Sequence, residues 1–454
     1  MTVQTSSKPI SLNARVADLP AEWPEALLPD IAERVAASGR KIVVMDDDPT
    51  GTQTVHGIPV LTHWSVDALS KELQDPSPVV YLLTNSRSLT ETASVALSKE
   101  IGANLAEAMR RTGMPVELIS RSDSTLRGHF PAEVTAVAQA LGDSQLPCLL
   151  IPFLLEGGRY TIDDIHYVDE GDRLVPAADT AYARDAVFGY DNSNLRQWVA
   201  EKTHGRIPVD QVAAISLDDL RREGPTAVAD KLCGLAPGSV CVVNAVSYRD
   251  LEVLVVALLK AEAAGRRFIF RTAASFVRVR AGIAPRPLLE ADDLTTDSDQ
   301  GGLFVVGSYV PKTSAQLQAL MKEAGIVPVE LAVDSLLTKH GPGVAIATCI
   351  ETVNHHLGAG RDVALYTSRK LVTGEDDAGN LDIGARVSDA LISVVRGLTQ
   401  KPRYLVAKGG ITSSEVATRG LEVGRALVMG QVLPGIPAWR LGEESRYPGM
   451  AYIV

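Results

Sequence analysis

Cysteines, long apolar runs and basic clusters are all scarce in this sequence, and each absence excludes a class of protein. Only four cysteines occur among the 454 residues. They lie far apart without a Cys-x-x-Cys pair, so neither a disulfide framework nor a zinc knuckle is predicted. No apolar run reaches the roughly 18 residues of a membrane helix, and the first residues lack a signal peptide's apolar stretch. We therefore expect a cytoplasmic protein that makes no membrane contact.

Positive charge is also in deficit. The chain carries 44 Lys and Arg against 55 Asp and Glu, a formal net charge of −11, and no basic run interrupts this balance. Such a surface repels polyanions, which argues against a nucleic-acid partner. A small anionic ligand is compatible with this charge, because one arginine or one helix N-terminus holds it locally.

Short apolar runs that end in polar residues and lead into helical periodicity occur in two stretches of the chain. Their continuous hydrophobicity is typical of parallel strands covered by helices on both faces. The first stretch has such runs at 41–45, 79–83, 116–119, 148–151, 240–243 and 268–270, and the second at 303–306, 363–366 and 404–407. Residues 284–302, rich in proline and acids, form the predicted linker.

This pattern predicts an α/β protein of two domains, residues 1–285 and 286–454. Each is expected to be a mostly parallel sheet with helices on both faces, with a ligand cleft between the domains. Helices are predicted at 90–111, 131–141 and 251–264, after Ser308 and after Gly410. Thr313 with Gln316, and Thr412 with Glu415, have the spacing of capping boxes and are predicted to open the last two helices.

Ligands of open parallel sheets bind beyond the carboxyl ends of the strands, so the polar segments there are candidate sites. Asp46 to Gly51 (DDDPTG) crowds three carboxylates, which repel one another unless a cation, a donor or a proton separates them. Such a segment can bind substrate hydroxyls, accept a hydroxyl proton or contact magnesium. The alternative is a solvated acidic turn.

The segment Ser120 to His129 (SRSDSTLRGH) combines two guanidinium groups, a carboxylate and several hydroxyls. This mixture suits a polyhydroxy acid, because arginine holds a carboxylate by a two-bond fork while Asp, Ser and Thr bind hydroxyls. Alternatively, Arg121 and Asp123 only pair and brace the loop. Arg87 and Gly157-Gly158-Arg159 would add cationic groups at the same edge, or else they are ordinary surface residues.

In the second domain, the turns at 306–308 and 407–412 place small residues between a predicted strand and a predicted helix. Glycine lets a ligand approach the backbone, and the free N–H groups of a helix attract phosphate. We therefore expect phosphate binding, although glycine is common in such turns. No G-x-x-x-x-G-K-[ST] occurs, so a recognisable P-loop is excluded.

Together these motifs resemble the four-carbon acid sugar kinase family. The specific part is DDPTG at 47–51 followed by DSTLRG at 123–128. The GGR at 157–159, the Gly307-Ser308 turn and the GGITS at 409–413 corroborate it, in the family's order. The resemblance extends over nearly the whole chain.

The resemblance implies a sugar-acid-binding N-terminal domain, a nucleotide-binding C-terminal domain, and ATP-dependent phosphorylation of a hydroxyl on threonate, erythronate or an oxo-tetronate, with Mg²⁺ on the phosphates. Asp47 and Asp123 are the candidate bases, and the sequence does not choose between them. Implied substrate-binding residues are Asp48, Thr50, Gly51, Arg87, Ser124, Arg127, Gly158 and Arg159. Implied nucleotide-binding residues are Ser308, Gly409, Gly410, Ile411 and Thr412.

Two features depart from the family's pattern. Many members have GGETS where this chain has Ile411, and many finish with a Gly-Asn-containing tail, whereas this sequence stops at Tyr452-Ile453-Val454. The first departure removes any contribution of that glutamate to the nucleotide geometry, and a chain cut short of such a tail is expected to bind ATP more weakly. A non-catalytic sugar-acid sensor is therefore kept as an alternative. A hydroxy-acid dehydrogenase is a further alternative, against which the lack of G-x-G-x-x-G after a strand counts. The sequence leaves homo-oligomerisation open.

Overall fold

The computed structural model describes residues 10–171, 173–295, 298–308, 310–338, 340–369 and 377–454. It has the mixed α/β fold that the sequence predicts, and no helix within these ranges combines the length and apolarity needed to cross a membrane. The chain divides into two compact units. Unit 1 comprises the residues up to Ile58 and His63–Arg286, and unit 2 comprises Pro59–Thr62 and Pro287–Val454.

The strands are β1 (Ile10–Ser11), β2 (Lys41–Asp46), β3 (Pro59–Leu61), β4 (Val79–Leu83), β5 (Val116–Arg121), β6 (Cys148–Ile151), β7 (Arg159–Ile162), β8 (Ile165–Asp169), β9 (Arg173–Pro176), β10 (Ala213–Ile215), β11 (Val240–Val243), β12 (Ile269–Thr272), β13 (Leu303–Val306), β14 (Val327–Leu331), β15 (Val363–Thr367), β16 (Tyr404–Lys408), β17 (Arg425–Leu433), β18 (Ile436–Leu441) and β19 (Ala451–Ile453).

The helices are α1 (Leu12–Ala17), α2 (Leu28–Ala37), α3 (Val66–Gln74), α4 (Glu91–Thr112), α5 (Ala132–Ala140), α6 (Leu195–Lys202), α7 (Gly224–Cys233), α8 (Tyr248–Ala263), α9 (Ala274–Arg280), α10 (Ala291–Leu294), α11 (Pro311–Leu320), α12 (Val333–Leu336), α13 (Gly341–Gly358), α14 (Asp377–Gly397) and α15 (Gly410–Glu415).

Unit 1 is built on a parallel sheet with the strand order β10-β11-β6-β12-β5-β2-β4. Every residue of β2 and β4 is buried, as expected for strands that are covered on both faces. In the register, Asp46 lies opposite Arg121, and Arg121 lies opposite Thr272. The carboxyl ends of β2, β5 and β12 therefore meet at one edge. A small antiparallel sheet, β1-β9-β8-β7, was not predicted.

The predicted helices of unit 1 begin and end at local capping signals. The Thr90 hydroxyl accepts a hydrogen bond from the backbone N–H of Ala93 at 3.3 Å and opens α4. Gly113 closes that helix with a φ of 69°, in the left-handed region that glycine tolerates. Ser247 and Asp250 form a capping box that opens α8 three residues before the predicted start.

Unit 2 contains a mixed sheet with the order β3-β17-β18-β19-β16-β13-β15-β14. The predicted strands β13, β15 and β16 are its parallel centre. Pro59–Leu61 belongs to this sheet through antiparallel pairing with β17, although the predicted division assigned all residues up to 285 to the first domain.

The division between the units otherwise falls after Arg286, inside the predicted linker. Leu289 is already buried in the core of unit 2, and α10 lies within the same segment. Residues 296 and 297 of the predicted linker lie outside the described residues. The connection between the units therefore ends well before residue 302, the predicted end of the linker, because apolar residues such as Leu289 pack onto unit 2.

The two capping boxes predicted in unit 2 are wrong. Helix α11 begins at Pro311, with Val310 as N-cap, and Thr313 is buried within the first turn. Proline with its fixed φ is favoured at the first helical position, which explains the earlier start. Helix α15 begins at Gly410, directly after Gly409, so Thr412 lies inside that helix.

Candidate functional site

An acidic turn follows β2 at the carboxyl edge of unit 1. Asp46 ends the strand with 1% of its surface exposed, and Asp47 is 2% exposed. Asp48 caps a 3₁₀ turn by accepting hydrogen bonds from the backbone N–H of Thr50 at 2.9 Å and from its hydroxyl at 2.5 Å. A Cβ on Gly51 would overlap the Asp46 carboxylate, so the turn requires glycine there. The alternative of a solvated acidic turn is wrong for these buried side chains.

Arg121 neutralises the innermost carboxylates of this turn. Its Nη1 lies 3.0 Å from Asp46 Oδ1 and 3.7 Å from Asp47 Oδ1. Burial raises the pKa of Asp46 to about 7, opposed by attraction to Arg121 and reinforced by repulsion from Asp47 and Asp48. Asp46 therefore lies buried at the base of the acidic turn, paired with Arg121, and is protonated in part of the molecules near neutral pH.

Asp123, in the loop after β5, is bound by two guanidinium groups. Its Oδ1 lies 3.5 Å from Arg87 Nη1, and its Oδ2 accepts from Arg127 Nε at 2.6 Å and from the Thr125 hydroxyl. Burial opposes ionisation, but Arg87 and Arg127 hold the pKa of Asp123 well below its usual range. Arg87 also pairs with Asp48. Asp123 is thus an ionised anchor with both oxygens engaged.

Asp47 differs from Asp123 because one of its oxygens is unsatisfied. The Ser122 hydroxyl donates to Oδ2, whereas the buried Oδ1 has no hydrogen-bond partner among the described residues. Arg121 at 3.7 Å is an ionic neighbour beyond hydrogen-bond distance. A buried acceptor without a donor costs about 1–3 kcal/mol. A substrate hydroxyl that donates to Oδ1 would remove this cost.

Arg271, near the end of β12, is a site residue that the sequence analysis missed. It is 4% exposed, its Nη2 donates to the carbonyl of Arg127 at 3.0 Å, and its Nη1 lacks a hydrogen-bond partner in the described ranges. A Cβ on Gly128 would lie 2.8 Å from Arg271 Nη2 and 3.2 Å from Asp47 Oδ2, so the loop backbone packs directly on both side chains. A charged residue within a buried strand was the available signal, since such residues are rarely buried without a partner.

A second set of contacts that the sequence did not predict comes from residues 177–190. The ring centroid of Tyr182 is 5.2 Å from the Arg127 guanidinium carbon and 5.3 Å from that of Arg159. Arg159 Nη2 also donates to the Tyr182 hydroxyl at 3.3 Å, and Asp185 lies 3.6 Å from Arg127. The ring therefore joins two predicted arginines that are remote in sequence. Gly158 precedes Arg159 with a φ of 66°, in the turn that leads into β7.

Two side chains from other segments hold the backbone of the loop after β5 in place. His166 Nε2 donates to the carbonyl of Ser124 at 2.7 Å, and the Tyr190 hydroxyl donates to the carbonyl of Thr125 at 2.8 Å. Burial lowers the pKa of His166 to about 4, so the ring is neutral at physiological pH. The predicted residue Ser124 is buried and lies in this fixed part of the loop.

In unit 2 the five predicted nucleotide-binding residues lie together at the carboxyl edge of the sheet. Strands β13 and β16 are neighbours, with Val306 opposite Lys408. A Cβ on Gly409 would lie 3.2 Å from Ser308 Cβ, and a Cβ on Gly307 would overlap the Thr412 hydroxyl. The turn runs through Gly409, with a φ of 112°, into Gly410 at the start of α15, and Ile411 is 58% exposed.

Two cavities lie elsewhere, at the amino ends of the unit 1 strands. Their volumes are about 290 and 430 Å³, and both are lined by Glu117 and Glu262. Arg280 pairs with both carboxylates. Unlike Asp47 and Arg271, these three side chains have no buried polar atom without a hydrogen-bond partner among the described residues, so we place the candidate site at the carboxyl edge.

The raised pKa of Asp46 predicts a pH dependence of stability. The folded-state value of about 7 exceeds the unfolded value near 3.8, so the folded protein binds the extra proton between them. The contribution of Asp46 to the free energy of unfolding is therefore full below the unfolded pKa and is lost as the pH rises through about 7. Urea unfolding at several pH values should show this fall in the wild type and not in Asp46→Asn. The same slope in both proteins would contradict the raised pKa.

A family model described as a sugar-binding N-terminal domain matches residues 42–280, and one described as a nucleotide-binding C-terminal domain matches residues 303–454. A D-threonate kinase of Cupriavidus necator is 26% identical over 378 residues, which cover 79% of this chain and 80% of that protein. A D-threonate kinase of Bordetella bronchiseptica is 28% identical over 228 residues, 48% of this chain and 50% of its own.

Solved structures share the fold at low identity. A protein of Salmonella typhimurium LT2 has a TM-score of 0.65 at 15% identity, covering 91% of this chain and 95% of its own. A Haemophilus influenzae protein has a TM-score of 0.59 at 16% identity, covering 90% and 95%. These likenesses show the fold alone.

Proposed function

Because the chain belongs to the four-carbon acid sugar kinase family, we propose that it transfers the γ-phosphoryl group of ATP to a hydroxyl of a four-carbon sugar acid. The observation that carries this proposal is the carboxyl edge of unit 1, where Asp47, Asp48 and Asp123 interleave with Arg87 and Arg127. This edge offers anion binding and hydroxyl binding side by side. The D-threonate kinases among the relatives support threonate, erythronate or an oxo-tetronate as the substrate class.

The carboxylate of the sugar acid would bind at Arg127 and Arg159. The Tyr182 ring contacts both guanidinium groups, and Arg159 Nε is a buried donor without a partner among the described residues. A carboxylate supplies two acceptors in the plane that a guanidinium fork requires. Hydroxyls of the substrate would bind at Asp48 and Thr50, on the other side of Arg87.

Asp47 is the better candidate for the base that accepts the hydroxyl proton. Its Oδ1 accepts no hydrogen bond within the described chain and has only the more distant charge of Arg121 beside it, while both oxygens of Asp123 are held by cations. In the proposed step the substrate oxygen bonds to the γ-phosphorus, its proton passes to Asp47 Oδ1, and ADP leaves. The rest of catalysis is positioning and neutralisation of charge, which is the usual requirement of phosphoryl transfer.

ATP would be held by unit 2 at Ser308, Gly409, Gly410, Ile411 and Thr412, and Mg²⁺ would accompany its phosphates. The described ranges contain no group of three or more His, Cys, Asp or Glu side chains that could hold a metal ion. Protein-bound Mg²⁺ often takes only one or two carboxylates and otherwise binds phosphates and water. The proposal therefore assigns Mg²⁺ no ligand from this chain.

Coupled assays of ADP release with a panel of four-carbon sugar acids test the proposal, with calorimetric binding of each acid measured in parallel. Acid-dependent ADP release supports the kinase. Binding of an acid without ADP release would favour the sensor, the second candidate, which the exposed Ile411 in the altered turn supports. A response to NAD(P) instead of ATP would favour a dehydrogenase, and either result overturns the kinase proposal.

Tyr182→Leu is expected to raise the KM for the sugar acid by about 2- to 30-fold, with a smaller effect on kcat. The reason is that the ring contributes a cation–π contact to each arginine, and such contacts are worth about 0.5–2 kcal/mol. Tyr182→Phe keeps the ring and loses only the hydroxyl contact to Arg159, so its KM should stay near the wild-type value. If the KM values of both variants equal the wild-type value, Tyr182 does not contribute to the substrate site.

A further inference from the structure

A partly buried arginine lies beside the nucleotide turns of unit 2. Arg369 follows β15, and its Nη2 donates at 2.7 Å both to the carbonyl of Ser308 and to the hydroxyl of Ser314. These two bonds fix the plane of the guanidinium group. Its Nε and Nη1 are shielded from solvent and have no hydrogen-bond partner in the described part of the chain. Two unsatisfied donors on one oriented cation indicate an acceptor that belongs there.

Two lysines add positive charge at the same edge. Lys408 ends β16 and is half-buried directly before Gly409, and Lys312 lies in the first turn of α11, which follows Ser308. Burial and the charge of Lys312 both lower the pKa of Lys408, which means that the two ammonium groups repel each other. Among the ion pairs of the described residues, none involves Arg369, Lys408 or Lys312.

The register of the sheet explains why these groups converge. Val306 in β13 lies opposite Tyr366 in β15 and opposite Lys408 in β16. The three strands are parallel and adjacent, so the residues that follow them leave the sheet at one level. A protein with a net charge of −11 thus concentrates, beside two glycine turns, three cations without an ion-pair partner in the described chain.

We propose that Arg369, Lys408 and Lys312 bind the polyphosphate chain of the nucleotide, with Arg369 donating through Nε and Nη1. The inference deepens the proposed function and rests on it. Phosphate oxygens satisfy the planar donors of arginine in a two-bond fork, and lysine adds a compact charge. The positive end of the α11 dipole favours the same anion. The ligand class is a nucleoside triphosphate or diphosphate, recognised through its phosphates.

The test is calorimetric titration of the full chain with ATP, ADP, inorganic tripolyphosphate and adenosine. Arg369→Gln and Lys408→Gln are each expected to raise the Kd for ATP and tripolyphosphate by about tenfold or more, the usual loss for a charge-assisted hydrogen bond. The Kd for adenosine should stay unchanged. Arg361→Gln is the matched control, because Arg361 is exposed and lies just before β15, at the opposite end of the same strand.

The outcomes separate the two proposals. If the wild type binds ATP and both folded variants bind it equally well, the phosphate assignment is overturned while the kinase proposal stands. If affinity for adenosine falls as much as affinity for ATP, Arg369 acts on the fold of the turn and the assignment is also overturned. If the wild type binds sugar acid but no nucleotide, the proposed function fails. Thermal melting shows whether Arg369→Gln is folded. If it is misfolded, the Kd of Lys408→Gln for ATP and tripolyphosphate decides whether the phosphate assignment holds.

Discussion

Asp47→Asn is expected to lower the kcat of phosphoryl transfer by about 10²- to 10⁴-fold, the usual contribution of a positioned general base. Asparagine keeps the shape of the side chain but cannot accept the hydroxyl proton. The KM for ATP should stay near the wild-type value, because the substitution leaves Ser308 and the turn at 409–412, the proposed nucleotide-binding residues, unchanged. Steady-state assays of ADP release at saturating sugar acid measure this change.

Asp123→Asn is the informative comparison for that experiment. Asp123 orients Arg87 and Arg127, so its loss is expected to raise the KM for the sugar acid by about tenfold, with a smaller fall in kcat than Asp47→Asn causes. Asp210→Asn, at an exposed position outside the site, should match the wild type. If Asp123→Asn loses kcat and Asp47→Asn retains it, the base has been assigned to the wrong carboxylate.

Arg121→Met is expected to lower the free energy of unfolding by about 3–5 kcal/mol near neutral pH, the usual cost of breaking a buried ion pair from one side. Arg121 is 3% exposed and faces the carboxylates of Asp46 and Asp47. Without it, the buried Asp46 and Asp47 carboxylates repel each other, and Asp46 relieves this repulsion only by binding a proton. The loss should shrink at acid pH, because a protonated Asp46 no longer contributes to that repulsion.

Urea unfolding of the wild type and of Arg121→Met at neutral and acid pH measures this loss of stability. Arg110→Met serves as the control, since Arg110 is exposed on α4 and pairs with Glu107 one turn away, and its stability should match the wild type. A loss in Arg121→Met no larger than that of Arg110→Met would show that the buried pair does not hold the turn together.

The parts of the fold that sequence predicts are those with local signals. Continuous apolar runs identified β2, β4, β5 and the centre of the unit 2 sheet. The acidic turn and the loop after β5 were found because their polar residues directly follow such runs. Parallel topology then implies that Asp46 to Asp48 and Asp123 meet at one edge, and the structure brings them together around Arg87 and Arg121. Their catalytic and binding roles stay predictions.

The residues that sequence analysis missed act through contacts distant along the chain. Tyr182 reaches Arg127 and Arg159 from a segment without any motif, and Arg271 reaches the loop after β5 from a separate strand. The hairpin of β17 and β18 and the pairing of β3 are likewise non-local. The Thr313 capping box failed for the opposite reason, because the proline two residues earlier is the stronger start signal.

The short strand β3 limits how this protein can be divided. Because β3 pairs with β17 while the residues on either side of it belong to unit 1, the polypeptide enters unit 2 twice. A gene cut after Arg286 would leave the first half with a strand separated from its sheet, and the second half with the edge of β17 uncovered. Uncovered strand edges recruit other chains and promote aggregation. A gene fusion that replaces unit 2 would therefore also have to replace β3, which is encoded within the segment for unit 1.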